Sequence, residues 1–275
     1  MTLLLAALLS LDDLTLEAAK AAKLPAIDGK AGDEAWKAAK ELVVPIGVPE
    51  EKPERKAFMK AVHDGDSICV LVSWADETKT DLHQVYSWGL ADEKYLVQDD
   101  AEYEDAVSLG FALEGTFNPD MLAAVEAKWD LWHWGADRSK GGYALDMWHL
   151  YTKNPPEGLK AKQKTARDES RLFIARALDA GTPPFEQLKP PAQKGADKIP
   201  QFAPRKPAGS AGDVEARGEH ADGKWTVEFK RKLKTGNKDD VAIDPAKPLP
   251  FCLATFDNKE KADHDVSHTI VLKLK

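Results

Sequence analysis

The chain has 275 residues, of which 43% are hydrophobic and 31% are charged, so it can fill a core of domain size and is not a disordered polymer. Its formal net charge is -8, its pI is about 5.5, and its lysines are interspersed with acidic residues. Because no basic stripe is present, nucleic acid is a poor candidate partner.

The N-terminal segment is apolar but too short to cross a bilayer. Its apolar run covers residues 1–11 and ends at two aspartates. We interpret residues 1–23 as a secretory leader, although no basic residue precedes the run and no small-x-small cleavage site follows closely. The mature domain is then expected at residues 24–275, in the periplasm or outside the cell. The alternative is an amphipathic first helix that continues through Leu14–Lys20. No other stretch is long and apolar enough for a transmembrane span.

Short alternating runs separated by turn residues make up most of the chain. A short helix is predicted at residues 33–36, and longer helical patterns are confined to residues 119–128 and 166–180. The turns Asp64-Gly65 and Asp222-Gly223 supply the positive φ that tight hairpins need. Strands are predicted over residues 42–46, 57–62, 68–74, 105–113, 212–217, 225–230, 249–256 and 269–274. This pattern predicts a mostly all-β protein, an antiparallel β-sandwich with short helices.

One long segment differs in composition from the rest. Residues 152–211 are rich in proline, lysine, alanine and glycine and contain three Pro-Pro pairs. Such a composition buries little apolar surface. We therefore expect an irregular insertion that wraps the sandwich or covers one end of it, without a core of its own.

The two cysteines, Cys69 and Cys252, both lie in predicted strands. A disulfide across the sandwich and two separate buried thiols are equally compatible with this placement. The sequence contains no C-x-x-C-H motif, which excludes covalent c-type haem, and it has too few cysteines for a four-cysteine zinc site. It also contains no G-x-S-x-G, H-E-x-x-H, phosphate-loop or dinucleotide motif, so we do not expect an enzyme.

Three segments together resemble a known haem-binding family. The first is the hairpin at residues 61–66 with residues 70–79, which contain a W-x-D-x-T signature. The second is the run W-D-L-W-H-W-G-A-D-R at residues 129–138, followed by G-Y-A-L-D at 142–146. The third covers residues 223–233, 251–258 and 264–268. They resemble the domain family of ethylbenzene dehydrogenase γ subunits, cytochrome c-552 and DMSO reductase-like proteins. The resemblance implies a sandwich similar to family 9 carbohydrate-binding modules and DOMON domains.

The resemblance also implies a cofactor and its ligands. Relatives that hold haem b noncovalently coordinate its iron through a methionine before the tryptophan-rich segment and a lysine before the last strand. Met121 matches the methionine position, and His264 stands where the family has lysine, with His268 as the alternative ligand. Haem iron accepts thioether and imidazole as axial ligands, and a six-coordinate iron suits electron transfer.

Aromatic residues of the second segment are expected to form the wall of the haem pocket. Trp129, Trp132, His133 and Trp134 provide the flat apolar surface that a porphyrin needs. The guanidinium of Arg138 could pair with the haem propionates. Ordinary core packing of the rings and solvation of the arginine are the alternatives.

The function implied is an extracytoplasmic b-type haem domain that transfers electrons. It would be a non-catalytic subunit or partner of a molybdenum oxidoreductase, or part of a respiratory chain of c-type cytochromes. Two alternatives stay open. One is a haem-free carbohydrate-binding module in which Trp132, Trp134 and Trp148 stack on sugar rings, and the other is a structural interaction module.

Overall fold

The computed structural model describes residues 14–47, 55–97, 103–257 and 264–275, and nearly all regular structure in them is β. The all-β prediction is therefore confirmed. The described strands, in chain order, are β1 (Leu14–Lys20), β2 (Leu42–Ile46), β3 (Arg55–His63), β4 (Ser67–Ala75), β5 (Tyr86–Gly89), β6 (Lys94–Val97), β7 (Ala106–Gly115), β8 (Ala127–Gly135), β9 (Leu145–Thr152), β10 (Ala161–Thr165), β11 (Arg171–Leu178), β12 (Gly181–Thr182), β13 (Phe185–Gln187), β14 (Lys198–Ile199), β15 (Phe202–Pro204), β16 (Ala208–Gly209), β17 (Glu215–Ala221), β18 (Lys224–Lys232), β19 (Leu249–Phe256), β20 (Asp265–Val266) and β21 (Ile270–Leu274). Short 3₁₀ helices occupy Glu34–Ala38 and Ser210–Gly212. None of the helices in these ranges is long and apolar enough to span a membrane.

A single hydrogen-bonded path joins most of the described strands into one sheet. Its order is β10-β11-β9-β8-β7-β19-β21-β1-β3-β4-β18-β17, with β2 on β3 and β20 on β19. Within the described ranges, β1 runs parallel to both of its neighbours, β3 and β21, whereas the other ladders of this sheet are antiparallel. The predicted antiparallel sandwich therefore holds apart from β1.

The core lies where one half of this path packs on the other. Trp132 of β8 and Phe229 of β18 are fully buried, and their ring centroids are 6.3 Å apart. Trp134 of β8 meets Trp225 of β18 edge to face at 5.0 Å. Full burial of a side chain such as Phe229 stabilises the fold by about 1.5–3 kcal/mol. These aromatic contacts hold the two layers of the sandwich together.

Both predicted hairpins are present. In the β3–β4 turn Gly65 has φ 103, and the backbone N–H of Asp64 donates to the carbonyl of Ser67 at 3.2 Å. In the β17–β18 turn Asp222 and Gly223 have φ values of 52 and 66, which is the left-handed conformation that this type of turn requires. Each predicted strand has a counterpart in the structure. The largest shift affects the strand predicted at 212–217, because a 3₁₀ turn delays its start.

The longer helix predictions are wrong. Residues 119–126 form turns and irregular backbone that lead into β8, and residues 171–178 form β11. In β11 the side chains of Leu172 and Ile174 face a hydrophobic cluster at alternate positions. Their burial in a sheet overrides the helix propensity of the local sequence. The alternative of a first helix through Leu14–Lys20 is also wrong, because this segment is β1.

Strand β1 lies inside the segment interpreted as a leader. It pairs with β3 and β21, and its Leu16 and Ala18 are buried in the core. The described sheet thus includes residues that precede the expected domain boundary at residue 24. The part of the leader prediction that covers residues 1–13 lies outside the described residues.

The insertion is more regular than expected. Strands β10 and β11 lie within residues 152–211 and extend the main sheet beyond β9. The remaining strands β12 to β16 form small ladders, and Phe185 of β13 reaches the cavity described below. The expected irregularity is therefore corrected for β10 and β11, whose buried residues Leu172 and Ile174 share a cluster with β8 and β9 and form no separate core.

The cysteines are two separate buried thiols. Cys69 packs with Trp36 and Val62, whereas Cys252 packs in a different cluster with Trp129 and Leu131. The disulfide alternative is therefore wrong.

Candidate functional site

A cavity of about 410 Å³ lies against one face of the neighbouring strands β11, β9, β8, β7 and β19. The loop before β8 contributes Met121, and the segment around β20 contributes His264 and Val266. Most of the lining side chains are apolar. A cavity of this size with a few polar groups is typical of small-molecule and cofactor sites.

Alternation along β8 decides which of the predicted aromatic residues reach the cavity. Trp129 and His133 line it together with Leu131. Successive strand residues point to opposite faces, so Trp132 and Trp134 face the core between the layers. The expectation that the whole tryptophan-rich run forms the pocket wall is thus corrected for these two residues.

The burial of Trp132 and Trp134 also weakens the carbohydrate-binding alternative. Trp132 is 0% exposed and Trp134 is 3% exposed, so neither ring offers a surface on which a sugar could stack. Trp148 of β9 is half-buried, and the Nζ atom of Lys128 lies 5.2 Å from its ring centroid. Two of the three proposed stacking platforms are therefore part of the core.

The structure brings the two predicted iron ligands to the same cavity. Met121 is half-buried in the loop before β8, and its Sδ lies 3.9 Å from Nη2 of Arg176. His264 comes just before β20, and its ring stacks on Phe256 at a centroid distance of 5.1 Å. A thioether and an imidazole thus lie in the lining of one cavity.

The alternative ligand lies elsewhere. His268 is exposed and does not line the cavity, and its carbonyl accepts a hydrogen bond from the Ser267 hydroxyl at 2.7 Å. Asp265, the residue after His264, forms an ion pair with Arg55 at 3.2 Å.

His133 is held as a neutral imidazole in the cavity wall. Burial, together with the nearby charge of Arg138, lowers the pKa of His133 to about 3. Nη2 of Arg138 lies 3.4 Å from Nε2 of His133, and Nδ1 lies 2.6 Å from the Ser108 hydroxyl. Since a guanidinium can only donate, Nε2 is the acceptor and the ring proton sits on Nδ1.

Arg138 is fixed at the cavity by a buried carboxylate. Its Nε donates to Glu104, which also accepts the backbone N–H groups of Asp137 at 2.6 Å and Arg138 at 3.0 Å. Nδ1 of His83 lies 3.3 Å from the same carboxylate. Burial opposes ionisation of Glu104, but the charge of Arg138 and these hydrogen bonds together hold its pKa well below the usual range. Arg138 therefore lines the cavity as a guanidinium held in place by its ion pair with Glu104.

The family model described as ethylbenzene dehydrogenase matches residues 18–267. The chain belongs to the ethylbenzene dehydrogenase family. No curated protein matches it.

Among solved structures, a protein from Bacteroides uniformis described as carbohydrate-binding is similar, with 10% identity, a TM-score of 0.48 and coverage of 96% of this chain and 100% of that one. A family 9 carbohydrate-binding module from Caldicellulosiruptor kristjanssonii, in complex with cellotriose, has 11% identity, a TM-score of 0.41 and coverage of 95% and 94%.

The structure adds cavity residues that sequence analysis missed. On β9 the side chains of Met147 and His149 face the cavity, and on β11 Arg176 does so. Burial, together with the charge of Arg176, lowers the pKa of His149 to about 3. Alternation from Leu145 along β9 could have identified the first two. Arg176 could not be assigned to the cavity from the sequence, because the helix predicted for its segment gives no strand alternation.

The donor set of this family member fits a b-type haem. The cavity combines an apolar lining with the thioether of Met121 and the imidazole of His264, which are axial donors that haem iron accepts. Arg138 and Arg176 add two guanidinium groups, which suit the two propionates of the porphyrin. The chemistry of these side chains is therefore compatible with a noncovalent haem.

Proposed function

We propose that this chain binds haem b noncovalently in the cavity and transfers electrons as an extracytoplasmic, non-catalytic component. The observation that carries the proposal is that Met121 and His264 line the same apolar cavity as two arginines. The chain would act as a subunit or partner of a molybdenum oxidoreductase or of a respiratory chain of c-type cytochromes, in the periplasm or outside the cell. Family membership supports association with an oxidoreductase complex.

Met121 and His264 would be the protein ligands of the iron. Bound haem supplies a one-electron redox couple, and two protein ligands leave its iron without a position for substrate. Stacking on Phe256 restricts the rotation of the His264 ring, so this side chain would be aimed before the cofactor enters. The role of the site is therefore electron transfer and not bond chemistry.

Arg138 and Arg176 would hold the propionates. Arg138 is already ordered by Glu104, which lowers the entropy lost when its remaining N–H groups meet a carboxylate. Arg176 lies beside the Sδ of Met121 and would place a second cation on that side of the cavity. Trp129 would pack on the porphyrin, and Leu131 would help to exclude water from it.

The test is the colour of the protein purified from haem-replete periplasm. We expect a reduced-minus-oxidised spectrum typical of a six-coordinate b-type cytochrome. Met121→Leu should shift this spectrum and lower the reduction potential, because a thioether ligand stabilises reduced iron. Met147→Leu is the matched control, since it removes a second thioether from the same cavity and should leave the spectrum unchanged.

Two results would contradict the proposal. A folded but colourless protein that is retained on polysaccharide would favour the carbohydrate-binding alternative. If haem is present and Met121→Leu leaves both spectrum and potential unchanged, the residue is not a ligand.

A further inference from the structure

A group of buried aspartates lies behind the cavity, on the opposite face of β8 and β9. Asp130 follows the cavity residue Trp129 in β8, and Asp146 follows Leu145 in β9. Asp240 joins them from the loop that precedes β19. Carboxylate oxygens of Asp130, Asp146 and Asp240 lie within 4.8 Å of one another, and all three residues are buried.

Several oxygens of this group have no hydrogen-bond partner. Asp146 is 0% exposed, yet neither of its carboxylate oxygens has a partner among the described residues. Oδ1 of Asp130 and Oδ2 of Asp240 are also unpartnered in this part of the chain. Asp179, whose backbone N–H donates to the carbonyl of Asp146 at 3.0 Å, adds two more such oxygens. Buried polar atoms almost always have partners, so this concentration points to a ligand.

The charge of the group is not balanced by the protein. Nη1 of Arg231 lies 2.6 Å from Asp130 and 3.3 Å from Asp240, and its Nη2 donates to the carbonyl of Val241. One guanidinium offsets one of three carboxylates. With all three ionised, two negative charges would remain at a buried site, which carries a large desolvation cost. A divalent cation would supply the missing charge.

The spacing also suits one ion. Oxygens that share a calcium ion at about 2.3–2.6 Å lie at most about 5 Å apart. One carboxylate oxygen from each of the three aspartates lies within 4.8 Å of the other two. Calcium takes six to eight oxygen ligands, whereas zinc prefers nitrogen and sulfur. The group offers carboxylate oxygens only.

We propose that Asp130, Asp146 and Asp240, with Asp179 beside them, bind a calcium ion. The ion joins β8 and β9 to the loop around residue 240, and it does so directly behind Trp129 and Leu145 of the cavity wall. Its role is structural, since it holds the two strands that carry most of the cavity floor. This site is independent of haem.

Protonation is the competing way to neutralise the group. Burial and the neighbouring carboxylates raise the pKa of Asp179 to about 8, and burial raises that of Asp240 to about 6. Without the ion, some of these carboxyl groups hold protons at neutral pH. Calcium binding would release them.

The test uses the full chain after treatment with a chelator and exchange into metal-free buffer. Terbium is the probe, because a nearby tryptophan can sensitise its luminescence. The Trp132 ring lies 4.8 Å from the guanidinium of Arg231, and this guanidinium contacts two of the aspartates. We expect saturable luminescence that calcium reverses, and a melting temperature that rises with added calcium. Asp146→Asn should weaken calcium binding by at least about tenfold.

Asp257→Asn is the matched control. Asp257 belongs to the other group of three aspartates found in the described residues, with Asp76 and Asp105, and it is closer to the surface. This variant should retain calcium binding at the proposed site.

Three results would overturn the proposal. The first is a wild-type chain whose terbium luminescence and melting temperature do not respond to calcium, a measurement that stands even if Asp146→Asn fails to fold. The second is loss of binding in Asp257→Asn but not in Asp146→Asn. The third is a melting temperature raised by magnesium and not by calcium. If the first result holds and the Asp146→Asn chain is also more stable than wild type, the group is neutralised by shared protons.

Discussion

Strands β8 and β9 have two faces with opposite chemistry. The cavity face carries Trp129 and Met147 with neutral imidazoles, and it leaves space for a flat ligand. The core face carries Asp130 and Asp146 around Arg231, and all three residues are buried. The same strands therefore separate a candidate redox site from a buried ionic group by the thickness of one backbone. Replacing a proposed haem ligand or contact on the cavity face should alter ligand binding, whereas a change on the core face should alter stability.

The largest effect is expected on the core face. Arg231→Met leaves the aspartates without their guanidinium and should lower the free energy of unfolding by about 3–5 kcal/mol, since one partner of a buried ionic group is removed. Urea denaturation measures this. Lys230→Met is the control, because Lys230 is half-buried and its ion pair with Glu215 is 3.4 Å long. A loss in Arg231→Met no larger than in the control would show that Arg231 does not stabilise the fold.

A smaller effect on the free energy of unfolding is expected from the Glu104–Arg138 ion pair beside the cavity. The pH dependence of stability should show its contribution. The pKa of Glu104 is lowered in the folded state, so its contribution to stability is complete above its unfolded value of about 4.3. That contribution is lost progressively as pH falls from this value towards the folded pKa. Stability measured by urea denaturation should therefore fall more steeply below about pH 4 in wild type than in Glu104→Gln. Parallel pH profiles of the two chains would contradict this.

Trp132→Phe tests whether the two faces are independent. The substitution removes the indole that lies over Arg231 and should cost about 1–2 kcal/mol. It should leave the haem spectrum unchanged, because Trp132 does not line the cavity. Trp129→Phe is the counterpart on the other face and should alter the spectrum. A spectral change in Trp132→Phe would show that the faces are coupled.

The smallest change in stability is expected when either of the two candidate histidine ligands is replaced, and the two substitutions show which histidine binds haem. His264→Ala and His268→Ala should each change the free energy of unfolding of the haem-free chain by less than about 0.5 kcal/mol. His264→Ala should reduce the haem content of the purified protein, while His268→Ala should not. The opposite pattern would move the proposed ligand to His268.

Local sequence patterns were sufficient for the β class and the hairpins. Asp64-Gly65 and Asp222-Gly223 specify tight turns through their backbone conformations, which depend on few distant contacts. Residues 166–180 were mispredicted because alanine, arginine and leucine favour helix locally, whereas burial of Leu172 beside β9 favours a strand. The parallel pairing of β1 with β3 and β21 also depends on distant segments, and no local pattern indicates it.

For the site, the sequence supplies the chemical types: a methionine, several histidines, arginines and tryptophans in segments that resemble the ethylbenzene dehydrogenase family. Which of these residues share a cavity depends on the three-dimensional fold. Strand alternation places Trp129 and His133 in the cavity wall and Trp132 in the core, and the fold places Met121 and His264, far apart in the chain, in the lining of one cavity. The physical reason is that a side chain's face follows from the register of its strand, and register is set by pairing with segments remote in sequence.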